Sequence, residues 1–175
     1  MKISLLGYMG SGKSTIGKEL ASKLNLKFID LDKFISSKHQ KSIPEIFATD
    51  GEIKFRKYER EALIEILEAE ENFILSLGGG TPAYYDNMDL INQATHSIYL
   101  RLTPKELIER LRPEKSSRPL IAHLSDEEFP EFIAKHLFER RNFYENAKSI
   151  LAVQEKSVKK IIEEIILNLP HPHRI

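Results

Sequence analysis

Lys13 and Ser14 close the segment Gly7-Tyr8-Met9-Gly10-Ser11-Gly12-Lys13-Ser14, which has the form G-x-x-x-x-G-K-[ST]. Residues of these types at this spacing hold phosphate. Glycines let the backbone curl until successive N–H groups point at phosphate oxygens. The start of a following helix adds partial positive charge. The lysine supplies a mobile cation for the β- and γ-phosphates, and the hydroxyl is placed to ligate Mg²⁺. A chance match in a glycine-containing turn is the alternative. Against it stand an apolar strand before the loop (Ile3 to Leu6) and a helical pattern after it (Thr15 to Leu24), the context this motif requires. The ligand class that follows is a nucleoside triphosphate with a divalent metal.

Four further clusters bear on the acceptor. Asp30-Leu31-Asp32 ends the second apolar strand. If the strand runs through them, alternation puts both carboxylates on one side. One could then hold metal-bound water and the other accept the proton of a substrate hydroxyl; Asp32 could equally cap the next helix. Gly51 to Glu59 contains Arg56 among acids and bases that could simply pair on a helix surface. Gly78-Gly79-Gly80 follows a buried strand directly. A run this costly in backbone entropy implies close approach of a ligand to backbone N–H groups, or a tight turn. The fourth cluster spans Arg112 to Arg140. Its first part, Arg112 to Leu120, has two prolines and three cations. It reads as a lid carrying an arginine to the phosphates, or as an ordinary surface loop.

These residues need a scaffold that brings them together. Strand patterns at Ile3–Leu6, Lys27–Asp30, Phe73–Leu77, Ser97–Leu102 and Ile150–Val153 alternate with helical ones. The helices fall at Asp32 to about His39, at Pro44 to Asp50, and over Glu52 to Glu71 with Phe55, Leu63, Ile66 and Leu67 as core. Others start at the capping boxes Thr103–Glu106 and Ser125–Glu128, the latter running to Tyr144. The last carries Val158, Ile161, Ile162, Ile165, Ile166 and Leu169 on one face, with Ser157 as N-cap and Pro170 as stop. Such alternation predicts a five-stranded parallel sheet with helices on both faces. Ligands bind beyond the carboxyl ends of such strands, where all these motifs fall.

The 175 residues suit one domain over 1–175. Lys plus Arg equals Asp plus Glu at 26 each, so no net basic field attracts nucleic acid. The chain has no cysteine, which excludes disulfides and Cys-ligated zinc. With no membrane-length apolar run and no room for a signal peptide before the first strand, the expectation is a cytoplasmic protein. No apolar stripe remains unexplained once the core is assigned, so a monomer is expected. The His171 to Ile175 tail reads as frayed.

In combination the motifs resemble those of shikimate kinases over nearly the whole chain. The matching pieces are Gly-Tyr-Met-Gly-Ser-Gly-Lys-Ser-Thr, Asp-x-Asp, Gly-Glu-x-x-Phe-Arg-x-x-Glu, Leu-Gly-Gly-Gly, the Arg-Pro-Leu of the lid and Glu-Arg-x-x-x-Tyr. The resemblance implies a three-layer P-loop kinase fold with a mobile lid at about 112–125. The implied reaction is phosphorylation of the 3-hydroxyl of shikimate by ATP, on the route to chorismate and aromatic amino acids. By resemblance, Gly10, Ser11, Gly12, Lys13, Ser14 and Thr15 cradle ATP. Ser14 ligates Mg²⁺ directly and Asp30 through water. Asp32 binds the shikimate hydroxyls and is the candidate base. Arg56 and Arg140 clamp the carboxylate, Gly79 offers its N–H, Arg118 closes over the phosphates and Arg110 packs on adenine. Phe47 and Phe55 either line the acid pocket or pack in the core. Leu31 stands where many relatives carry Ser or Thr, and the lid reads Arg-Pro-Leu-Ile in place of Arg-Pro-Leu-Leu. The stretch after Tyr144 is one residue shorter than in some relatives, which leaves the adenine loop near Lys156 unassigned. Two rival readings are another P-loop small-molecule kinase, acting on gluconate or a nucleotide, and a non-catalytic nucleotide-binding module. The chain has no Asn-Lys-x-Asp guanine-reading sequence.

Overall fold

The computed structural model describes residues 1–69 and 71–170. The expectation for the His171 to Ile175 tail lies outside the described residues. Five strands form one parallel sheet: β1 (Lys2–Leu6), β2 (Lys27–Asp30), β3 (Phe73–Ser76), β4 (His96–Arg101) and β5 (Ser149–Ala152), in the order β2-β3-β1-β4-β5. Ile3 sits in register with Ile74 on one side and His96 on the other. The central strands are apolar on both faces, as a doubly covered sheet demands; all four residues of β3 are buried, as are Ile3, Leu5 and Leu6 of β1. The chain leaves β1 toward β2 and returns across it to β4. Its winding direction therefore switches beside β1, and the crevice opens beyond that strand's carboxyl end.

Helix α1 (Lys13–Leu24) begins two residues earlier than the helical pattern predicts, because left-handed Gly12 (φ 91°) is its N-cap. Lys13 and Ser14 are thus first-turn residues. Helix α2 (Leu31–His39) is capped by Asp30, whose carboxylate accepts from the Lys33 amide, so the capping aspartate is Asp30 and not Asp32. Strand β2 also stops at Asp30, so the same-side argument for the two carboxylates does not apply as framed. Helix α3 (Ile43–Glu68) starts at a capping box made by Ser42 and Glu45 and breaks at Gly51 (φ 78°, ψ 169°). Two helical segments were expected across that point, and Gly51 supplies the joint. Phe55, Leu63, Ile66 and Leu67 are buried as the periodicity predicts.

A short 3₁₀ turn at Thr81–Ala83 and helix α4 (Asn87–Ala94) follow β3. Neither shows as a clear pattern in the sequence, where Pro82 and polar residues interrupt the periodicity. Helix α5 (Pro104–Leu111) opens with the reciprocal Thr103–Glu106 box. The lid segment folds into a 3₁₀ stretch over Arg112–Ser117 and one helical turn, α6 (Pro119–Ala122). Ser125 and Glu128 cap one another before α7 (Glu128–Glu145), and Ser157 caps α8 (Val158–Asn168). Ile161, Ile162, Ile165 and Leu169 are buried. Helix α8 packs beside α1, α2 against α3, and α5 against α7.

Candidate active site

Strong backbone curvature builds the phosphate loop. Gly7 (φ 145°), Gly10 (φ 78°) and Gly12 (φ 91°) all adopt positive φ. A Cβ on Gly10 would also stand 2.8 Å from Leu111 Cδ2, so this glycine lets the loop touch the base of the lid. Lys13 is 9% exposed, and its Nζ donates to the carbonyls of Gly7 (2.8 Å) and Tyr8 (2.9 Å). Burial pulls its pKa down to about 8, against the opposing pull of Asp32 and Asp30. Ser14 Oγ donates to Asp30 Oδ2 at 2.9 Å and lies 3.4 Å from Ser76 Oγ.

Asp32 sits in the first turn of α2. Burial raises its carboxyl to about 6, with Asp30 and Glu59 pushing the same way and Lys13 and Arg56 resisting. A cavity of about 500 Å³ gathers most of the predicted ATP residues and two of the predicted acceptor residues, Asp32 and Gly79. Gly10, Gly12, Lys13, Ser14 and Thr15 of the loop line it together with Asp30, Asp32 and Gly79. Arg110 and Arg118 line it from the lid side. Ser11 is buried beneath the loop, its amide donating to Tyr8 O at 3.2 Å, and does not face the cavity. In this lid position Arg118 Nε donates to Glu114 Oε2 at 3.0 Å, and Glu114 also lines the cavity.

Arg56 and Arg140 are not among the residues lining that cavity; they stand beside it. Arg56 Nη1 donates to Glu59 Oε2 at 2.8 Å, and Thr81 Oγ1 donates to the other Glu59 oxygen at 2.7 Å. Glu59 is 1% exposed, so the expectation of helix-surface pairing around Arg56 is wrong for its main partner. The i,i+3 spacing was visible; the burial was not. Tyr84 covers Arg56, its ring centroid 3.9 Å from Cζ. On Gly80, a Cβ would lie 2.8 Å from Arg56 Nη2 and 3.1 Å from Cζ. Gly80, the last of the three glycines, thus has a further explanation beside ligand approach and a tight turn: it makes room for the arginine.

Arg140 lies on α7, with Nη1 3.4 Å from the His136 carbonyl. Two tyrosines anchor that helix to the rim. Tyr144 Oη donates to the Gly79 carbonyl at 2.5 Å, and Tyr8 Oη lies 2.6 Å from His136 Nδ1. Phe47 and Phe55 pack on each other, ring centroids 4.5 Å apart, and line no part of the cavity. Lys156 pairs with Glu164 at 2.5 Å. Glu59, Tyr84, Tyr144 and Glu114 carried no assigned role in the sequence. Glu59, three residues after Arg56, and Tyr144, at the end of Glu-Arg-x-x-x-Tyr, fall within the matching motifs, and Glu114 lies in the lid segment; Tyr84 had no signal.

The family described as shikimate kinase matches residues 9–170. A shikimate kinase from Azobacteroides pseudotrichonymphae is 45% identical over 165 residues, 94% of this chain and 97% of its own. A crystal structure of shikimate kinase from Bacteroides thetaiotaomicron superimposes with a TM-score of 0.89 at 38% identity, covering 97% of this chain and 99% of the other. The structure of the Acinetobacter baumannii shikimate kinase in complex with shikimate gives 0.83 at 29% identity over 94% and 90%.

Proposed function

The chain belongs to the shikimate kinase family and is a kinase, and from that premise we propose that it transfers the γ-phosphoryl group of ATP to the 3-hydroxyl of shikimate at the rim described above. The observation that carries this reading is the shared cavity. Lys13, Ser14, Asp30 and Asp32 face one another there, with Arg118 above them and the Arg56 guanidinium fixed alongside.

Lys13 exchanges the loop carbonyls for phosphate oxygens. Its depressed pKa belongs to the free protein; phosphate anions favour the charged form. The Ser14 hydroxyl and Asp30 carboxylate, 2.9 Å apart, offer the hard oxygen ligands that suit Mg²⁺. Mg²⁺ would be held there by Ser14 directly and by Asp30 through water, and would supply charge neutralisation for the phosphates. Asp32, above its ordinary pKa yet ionised at neutral pH, accepts the hydrogen bond and then the proton of the attacking hydroxyl. Arg56 and Arg140 grip the acid's carboxylate in fork geometry that lysine lacks, and Gly79 offers its N–H to the ring. Arg118 leaves Glu114 for the phosphates as the lid closes and excludes water. Arg110 packs on adenine. We assign the whole chain to one cytoplasmic domain acting as a monomer. No helix among the described residues is long and apolar enough to cross a membrane. Ile53, Phe138 and Leu167, the large apolar side chains more than three-quarters exposed among the described residues, lie on three different helices.

A coupled assay offering shikimate, gluconate and AMP with MgATP tests the assignment. Turnover is expected with shikimate; turnover with another acceptor alone would refute it. Lys13→Met and Asp32→Asn should each abolish most activity. Arg56→Ala and Arg140→Ala should raise KM for shikimate about tenfold or more, the loss expected for one charge-assisted hydrogen bond. Unchanged KM in both arginine variants would contradict the proposed division of labour.

A further inference from the structure

The Arg56 guanidinium is only partly committed. Its Nη1 is taken by Glu59, a carboxylate that is buried and held from behind by Thr81, and so cannot leave. Its faces are packed by Gly80 and the Tyr84 ring. What remains is the Nε–Nη2 edge, the edge that a carboxylate meets in bidentate fashion. Nε is buried and has no hydrogen-bond partner among the described residues. Nη2 has an ion-pair contact with one further acid, Glu52, at 3.5 Å, too long for a good hydrogen bond. Glu52 is exposed, one helical turn before Arg56, and just beyond the Gly51 break. It is held by a different group: Tyr84 Oη donates to Glu52 Oε1 at 2.8 Å. The same tyrosine therefore packs on the arginine and tethers the acid. The positive charge of Arg140 adds a smaller pull that favours the ionised forms of both Glu52 and Tyr84.

We propose that Glu52, tethered by Tyr84, is a resident counter-ion for the open edge of Arg56, loosely bound and displaced by the carboxylate of the incoming acid. This rests on the reading that Arg56 binds that carboxylate. Glu52 is then a positioning and selectivity residue. An acid replaces one anion with another and leaves the cation neutralised, whereas a neutral polyol must separate the pair without supplying a replacement.

The direction of the effect distinguishes this from a structural role. An exposed ion pair is weak, so Glu52→Gln should lower KM for shikimate by roughly two- to fivefold, with KM for ATP unmoved. Tyr84→Phe keeps the ring over Arg56 but releases Glu52, and should shift KM the same way by less. Tyr84→Leu removes the packing and should raise it. An unchanged or higher KM for shikimate in Glu52→Gln would overturn the proposal. A readout without catalysis separates this outcome from failure of the kinase assignment. With ADP saturating the phosphate loop, thermal-shift titration with sodium benzoate, a plain carboxylate, should show Glu52→Gln saturating at lower anion concentration than the unaltered protein, and Arg56→Ala losing most of the response. Equal midpoints in Glu52→Gln and the unaltered protein would sink the counter-ion idea, whatever acceptor the assay reveals.

Discussion

Asp32 and Lys13 face each other with pKa values displaced toward neutrality from opposite sides, about 6 and about 8. The causes are the same, loss of water around a charge, and the signs are opposite because one group is an acid and the other a base. A proposed base that must be ionised and a lysine that must be charged leave a window between those values. The expected pH profile of kcat/KM is therefore bell-shaped, with an acid limb near 6 and an alkaline limb near 8. A flat profile down to pH about 4 would mean that Asp32 keeps an ordinary carboxylate pKa. The same displacement costs stability. The unfolded Asp32 ionises near 3.8 and the folded one near 6, so between those values the folded state holds more protons and stability falls as pH rises. Asp32→Asn should therefore stabilise the fold by about 3 kcal/mol above about pH 7, with the difference vanishing below about pH 4. Urea denaturation at both ends of that range checks the sign.

At the scale of elements, the same kind of small change should act on binding or on stability depending on where it falls. Gly80 has φ −92°, which any residue accepts, so Gly80→Ala is not a strained backbone. Its Cβ would instead strike a guanidinium pinned between Glu59 and Tyr84. Displacing that group should raise KM for shikimate by about tenfold, since small misplacements of a positioning group are costly. Ser157→Ala removes a cap at α8, far along the chain from the rim. It should lower stability by about 1 kcal/mol and the melting temperature by about 2–4 °C, with KM unchanged. If Gly80→Ala altered only the melting temperature, the claim that Gly80 makes room for Arg56 would fail.

For the molecule as a whole, the sheet order makes the site. Segments near residues 13, 32, 79 and 118 meet because β1 lies between β3 and β4 with all strands pointing the same way. Filling this cavity should stabilise the whole fold. MgATP at about a hundred times its Kd should add about 2.7 kcal/mol to the unfolding free energy. Chelating the metal with EDTA should remove much of that gain, because Ser14 and Asp30 are proposed to act on the nucleotide through Mg²⁺. Equal stabilisation by ATP with and without EDTA would argue against that role.

Local chemistry made most of the scaffold legible. The capping boxes at Thr103 and Ser125, the Ser157 cap, the apolar strand runs and the phosphate loop each depend on neighbours a few residues apart, so their sequence patterns carry over into structure. The loop also announced its ligand class, because glycines, a lysine and a hydroxyl at this close spacing suit a phosphate chain. What the chain order could not express was burial and facing. It did not reveal that Glu59 lies inside beneath Arg56, that Tyr84 closes over that arginine, or that Tyr144 holds α7 to Gly79. These contacts join residues brought together by the sheet crossovers or turned inward by packing. Charge pairing at i,i+3 looks the same on paper whether solvent or a protein core surrounds it, and only the tertiary structure decides which.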